Sequence, residues 1–353
     1  MSPTVVASLL ITYAVFQTVV FLILIRMVDP YEREPMSLLA LMALWGALGA
    51  TTLSAIGNTA VRNLLPPDVA VVFGRALYAP VVEEVAKGIA LVVFVLVSVR
   101  ARGRFGIPRF EGITDGVVYG AAIGLGFAFT EDILYLLVGA AQNGLESGSI
   151  AYLARRDFFG VSMLRHAIYT ATFGVGLGLA MWSRAAFARV VLPAGGLLLA
   201  MFLHSFNNGW GQVALVRRFG FDRTVSFVQG AESPVMEDVR RNALSAVRVS
   251  EYVLLVVFAL AIYLWIRYQR KVIRAELEEE AQNGLISRTE WDLLPRYWRR
   301  TAWYWQLIRT GQWQRWRILQ TMHGELVSLA IMKMRVRRAG APEDAVARLA
   351  ALA

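Results

Sequence analysis

The sequence predicts an all-α, polytopic integral membrane bundle with a helical C-terminal tail, and three observations carry that prediction. Of 353 residues, 57% are hydrophobic and only 18% charged, with a mean hydropathy of +0.50, too apolar for a soluble chain of this size. Seven stretches approach the ~20 residues that a helix needs to cross the hydrocarbon core. Arginine collects in alternate loops between them, as cytoplasmic segments do.

The expected spans are Val5–Ile25, Met36–Ile56, Ala79–Val99, Ile113–Val138, Phe158–Trp182, Val190–Leu215 and Glu251–Ile266. The first has no basic lead and no small-residue cleavage site, so it reads as a retained span and not a signal peptide. Asp68–Tyr78 is short and apolar and runs up to Pro80, which suits a lead-in half-helix or an eighth, re-entrant element. In the fourth span Gly116, Gly120 and Gly124 recur every fourth residue, a small-residue stripe for close helix approach. Arg100, Arg102, Arg104 and Arg109 follow the third span, Arg184 and Arg189 the fifth, and Arg267, Arg270, Lys271 and Arg274 the seventh. Placing these loops on the cytoplasmic side of a bacterial cytoplasmic membrane puts the N-terminus outside and the C-terminus in the cytoplasm. The loop after the sixth span dissents: Arg217, Arg218, Arg223, Arg240, Arg241 and Arg248 would lie outside, offset in part by Asp222, Glu232, Glu237 and Asp238.

Residues 1–266 thus read as a transmembrane domain and 267–353 as an Arg- and Trp-rich tail at the cytoplasmic face. In the tail, Lys271–Gln282 is a charged helix that Asn283-Gly284 can stop, and Ser287 with Glu290 spells a capping box. Six of the ten tryptophans fall between Trp291 and Trp316 among arginines. That mixture suits a helix lying in the lipid headgroups or, equally, a solvated helix with its aromatic face packed on the membrane domain. The net charge of +10 comes with no nucleic-acid-binding module, so it points to anionic membrane lipids and not to nucleic acid. The absence of cysteine excludes disulfides, thiolate nucleophiles and thiolate metal sites.

Function is concentrated where ionisable groups interrupt apolar spans, since each costs kilocalories there unless paired or facing water. Four spans carry such groups, which predicts one shared polar site. Glu83, Glu84 and Lys87 share a helical face, acids on the N-terminal side of the base, just after Pro80. Two adjacent carboxylates cannot both stay ionised cheaply in a low dielectric, a situation suited to a general base. The plain alternative is an intrahelical ion pair at a membrane boundary, with Lys87 supporting the charge state. Glu131 has no basic partner in its own span, so its partner comes from another helix. His166 with Thr170, and His204 with Asn208, each sit one turn apart. A single intramembrane histidine is ordinarily a packing residue, but two beside glutamates suit catalysis, since imidazole carries protons or binds metal and asparagine donates to an oxyanion.

The ordered set Glu83-Glu84-x-x-Lys87, Phe127-x-x-x-Glu131 inside an Asp-Gly-x-x-Tyr-Gly-x-x-x-Gly-Leu-Gly-Phe context, His166, and His204-x-x-x-Asn208 resembles the PrsW intramembrane proteases, relatives of the CAAX prenyl endopeptidases and of bacteriocin-processing membrane proteases. The resemblance covers roughly Met36–Val216. It implies an intramembrane endopeptidase that cleaves a single-span membrane protein such as an anti-sigma factor. It also favours Glu83, the first of the pair, as base.

Two mechanisms remain open. Glu83 or Glu84 activates water while His204, Asn208 or His166 stabilises the oxyanion, with no cofactor. Alternatively Glu131, His166 and His204 hold a single divalent metal such as zinc, with water in the fourth position. No His-Glu-x-x-His helix favours zinc, and the metal-free route is preferred. A proton- or cation-coupled transporter is the competing class, although no second copy of either acidic motif marks the repeated half that many transporters contain. A scaffold without activity fits least, because every motif position is filled.

Overall fold

The computed structural model describes residues 3–101, 110–155 and 163–338, and among these the regular structure is entirely helical. Its elements are α1 (Pro3–Arg26), α2 (Met36–Leu64), α3 (Pro67–Phe73), α4 (Ala79–Ala101), α5 (Ile113–Arg155), α6 (Met163–Trp182), α7 (Ala186–Phe219), α8 (Phe221–Val228) and α9 (Pro234–Glu276). Four more follow: α10 (Glu278–Gln282), α11 (Arg288–Leu293), α12 (Tyr297–Arg309) and α13 (Trp313–Arg338). Two compact units result. One holds the chain through Arg26 and from Glu34 to Val256, the other Met27–Arg33 and the chain from Val257 onward.

Among the described residues, five helices are long and apolar enough to cross a membrane: Val5–Arg26, Met36–Leu64, Ile113–Gln142, Ala186–Phe219 and Pro234–Glu276. Two of the seven expected spans are missing from that set for a physical reason. α4 and α6, of 23 and 20 residues, form as helices, but Glu83, Glu84 and Lys87 load α4 with charge, and Arg165 and His166 in the first turn of α6 lower its hydropathy. Phe158, the expected start of the fifth span, lies outside the described residues.

Three local results refine the expectations. α2 runs eight residues beyond Ile56, with a π-helical turn at Trp45–Ala50. The Asp68–Tyr78 piece is the short helix α3, feeding α4 through a second π-helical turn at Gly74–Tyr78; such turns frequently mark functional sites. The basic stretch after the sixth span is not an open loop: α7 ends at Gly220, whose φ of +86° only glycine adopts freely, and α8 and the first turns of α9 occupy the rest.

The glycine stripe of α5 does what its spacing predicts. A Cβ on Gly116 would lie 2.0 Å from the Gly174 carbonyl oxygen, one on Gly120 2.7 Å from that of Thr170, and one on Gly124 2.1 Å from that of His166. α5 and α6 therefore touch backbone to backbone, and the contact sets the depth of His166.

In the second unit, Leu277, Ile286, Leu294, Val327 and Ala330 form the core. Gly284 takes a φ of +75°, and the capping box is present: the Glu290 amide donates to Ser287 Oγ at 3.1 Å and the Ser287 amide to Glu290 Oε2 at 2.9 Å. His323 Nδ1 lies 2.7 Å from the Tyr304 hydroxyl, and the ring stacks beside Trp303. Burial, then the nearby Arg300 guanidinium, push His323 down to about 4. An unfolded histidine titrates near 6.5, so the unfolded state binds the extra proton first as pH falls. This unit is accordingly expected to keep full stability above pH ~6.5 and to lose part of it towards pH ~4. Tryptophan fluorescence melts across that range should show the loss, and a His323→Gln variant a flatter profile; equal slopes would contradict it.

Candidate active site

Pro80, which has no amide to donate, follows closely on the π-helical turn Gly74–Tyr78, and one turn later Glu83, Glu84 and Lys87 face inward. All three are buried, Lys87 completely. Each proton of the ammonium has a target. Nζ lies 2.7 Å from Glu84 Oε1, 3.1 Å from His166 Nδ1 on α6, and 3.9 Å above the Phe127 ring of α5. That coordination offsets a burial cost of several kilocalories per mole and explains the phenylalanine in the Phe127-x-x-x-Glu131 motif.

Glu84 gathers the rest. Its Oε1 also meets His204 Nδ1 of α7 at 2.9 Å, and its Oε2 accepts from Thr170 Oγ1 at 3.2 Å. A carboxylate ion-paired to lysine only accepts hydrogen bonds, so the ring proton of His204 sits on Nδ1 and its Nε2 presents a lone pair. That nitrogen is 3.7 Å from Glu83 Oε2 and 3.4 Å from Asn208 Nδ2. A gap of 3.7 Å is too long for a direct hydrogen bond and short enough for one water to bridge. Glu83 Oε2, although buried, makes no hydrogen bond to the protein. The partner that Glu131 lacked within its own span is His166, whose Nε2 lies 3.0 Å from Glu131 Oε2.

Every residue singled out in the sequence, Glu83, Glu84, Lys87, Glu131, His166, His204 and Asn208, thus falls in one connected cluster built from α4, α5, α6 and α7. Three neighbours went unremarked. Tyr169 stacks on His204 with centroids 5.1 Å apart, Trp45 donates from Nε1 to the Ala86 carbonyl at 3.3 Å, and Asn58 lies against the Glu83 carboxylate. Asn58 had a signal: with Ser54 and Arg62 it forms a polar i, i+4, i+8 line on α2. Tyr169 and Trp45 had none, since an aromatic in an apolar span reads as packing.

Comparison with known proteins now decides the family. The pattern of the "PrsW family intramembrane metalloprotease" family matches residues 34–228, more than half of the chain. The chain belongs to the PrsW family. "Protease PrsW" of Geobacillus kaustophilus (strain HTA426) is 30% identical over 177 residues, which cover 50% of this chain and 68% of that protein. No solved structure matches. Family membership makes the chain an integral membrane peptidase, a hydrolase working in lipid on a membrane-embedded substrate. The matched region reaches past the Val216 boundary expected from the motifs and takes in α8.

The family description names a metal, and the cluster can be tested against one. Glu83, His166 and His204 each offer a ligand atom, all within 4.8 Å of one another; Glu83, not Glu131, joins the two histidines in that trio. The spacing suits one ion. The hydrogen bond that His166 accepts from Lys87 does not. The Lys87 ammonium has only protons to give, so Nδ1 of His166 accepts and Nε2 carries the ring proton towards Glu131. In that tautomer His166 has no lone pair left for a metal.

Proposed function

We propose that this PrsW protease hydrolyses a peptide bond of a single-span, membrane-anchored protein, such as an anti-sigma factor, with water activated by Glu83. One observation carries the reading: two basic atoms, Glu83 Oε2 and His204 Nε2, converge at 3.7 Å on a buried point beside the Asn208 amide. A water there donates to both. Glu83 takes its proton as the oxygen attacks the carbonyl carbon, the Asn208 amide donates to the oxyanion, and Glu83 returns the proton to the leaving nitrogen. Glu84 fixes the His204 tautomer, Lys87 compensates Glu84, and Glu131 holds the His166 ring. Seven spans, the five apolar helices with α4 and α6, with the N-terminus outside, complete the proposal and agree with the arginine-rich segments that follow α4 and α6 and those at the end of α9, though not with that after α7.

The 4.8 Å grouping of Glu83, His166 and His204 favours a second reading in which these three hold a divalent ion, which would lower the pKa of a bound water. It requires His166 to release its lysine contact. Purified protein in lipid nanodiscs, given a single-span peptide after exhaustive chelation, separates the two. Cleavage into two fragments at a rate within about twofold of the untreated enzyme is expected. Loss of cleavage restored by zinc would install the metal reading.

A further inference from the structure

We infer that the mouth of this site selects an acidic segment of the substrate next to the scissile bond; the inference rests on the proposed protease reading. A cavity of about 750 Å³ opens beside the cluster between the C-terminal half of α2, α3 and its π-helical turn, and α8. Its lining includes Asn58, Arg62, Arg75, Tyr78 and Ala79, and it contains two arginines and no carboxylate. Neither Arg62 nor Arg75 has an ion-pair or hydrogen-bond partner among the described residues, whereas other arginines of the same unit, Arg165, Arg240 and Arg241, do.

The cavity is joined to the chemistry at two points. Ala79 precedes Glu83 by one turn of α4, about 6 Å along the axis. Asn58 lines the cavity and lies against the Glu83 carboxylate, with its Oδ1 making no hydrogen bond to the protein. Ser54 Oγ, one turn deeper on α2, is likewise buried and unpartnered. Asn58 and Ser54 therefore make a polar lead from the arginines to Glu83. An extended peptide advances about 3.3 Å per residue, so a chain with its scissile carbonyl at Glu83 sets side chains two to four residues away beside Arg62 and Arg75. Unpaired guanidiniums without competing acids there recognise aspartate or glutamate. Under the proposed orientation this is the outer face, so the acidic residues flank the outer end of the substrate span.

The test uses full-length protein in zwitterionic nanodiscs and two synthetic single-span peptides, alike except for aspartates or asparagines beside the outer end of the span. Binding is followed by fluorescence and cleavage by mass spectrometry. The wild type is expected to favour the aspartate peptide by about fivefold in kcat/KM, mostly through KM, as two partly exposed ion pairs allow. The preference should shrink when salt rises from about 0.1 M to about 1 M and the Debye length falls from about 10 Å to about 3 Å. In Arg62→Gln with Arg75→Gln the ratio should approach one, whereas a merely structural role would slow both peptides alike. Equal binding of the two peptides by the wild type, or an undiminished ratio in the double variant, overturns the inference. So does a ratio of one together with rates that respond only to added anionic lipid, which would assign the arginines to headgroups. Salt-sensitive preference in binding without any cleavage would leave this inference standing and remove the protease mechanism instead.

Discussion

Glu83→Gln is expected to leave the protein folded and binding its substrate while kcat falls at least about 100-fold, the scale of a lost general base. Glutamine keeps the size of glutamate, and Glu83 Oε2 makes no hydrogen bond to the protein that the change would break. Removing the charge of a buried carboxylate that Asn58 and Lys87 only partly compensate spares desolvation, so the thermal midpoint should hold or rise. Glu84→Gln should behave differently. Glu84 is ion-paired to Lys87 and bonded to His204 and Thr170, and neutralising it strands a fully buried ammonium, a loss of about 3–5 kcal/mol. The pair is therefore distinguished by stability as well as turnover. Melting curves and substrate-binding titrations on the two variants would show it, and matching losses of stability would contradict the separate roles.

Gly124→Val should be nearly as severe without touching a polar group. The new side chain would start 2.1 Å from the carbonyl oxygen of His166 itself, where backbone and not a flexible side chain must yield. α6 is displaced outward by roughly an ångström, carrying His166 away from Lys87 and Glu131 and Thr170 away from Glu84. Misplacement on that scale can cost about 100-fold in rate, beyond about 1–3 kcal/mol of overpacking. Gly195→Ala on α7, with nothing within 4 Å of the added atom, is the control and should leave activity unchanged. Equal activity in both variants would mean that α5 and α6 are not in backbone contact.

The cluster was legible in the sequence because charge inside a span has few cheap solutions: Glu131 had to find a partner outside its own helix, and His166 is that partner. The glycine stripe and the Ser287 capping box were legible because each is a fixed spacing with one geometric meaning. What escaped depends on partners far apart in sequence. Nothing near Tyr169 shows that it stacks on His204. Asn58 escaped because the second span was ended at Ile56, where polar residues begin, although tertiary packing carries α2 on to Leu64. Choosing Glu83 over Glu131 as the third member of the histidine trio needed α4 and α6 side by side, a distance that spacing along the chain does not hold.

The central claim is that the buried cluster cuts peptide bonds and does not conduct ions, and one paired measurement tests it most directly. Wild-type and Glu83→Gln protein, in sealed vesicles containing a single-span peptide and a pH-sensitive dye, are followed for fragments and for decay of an imposed proton gradient. Two complementary fragments from the wild type, about 100-fold fewer from Glu83→Gln, and gradients that decay alike in both are predicted. An intact peptide beside a gradient that the wild type dissipates and Glu83→Gln preserves would contradict the account.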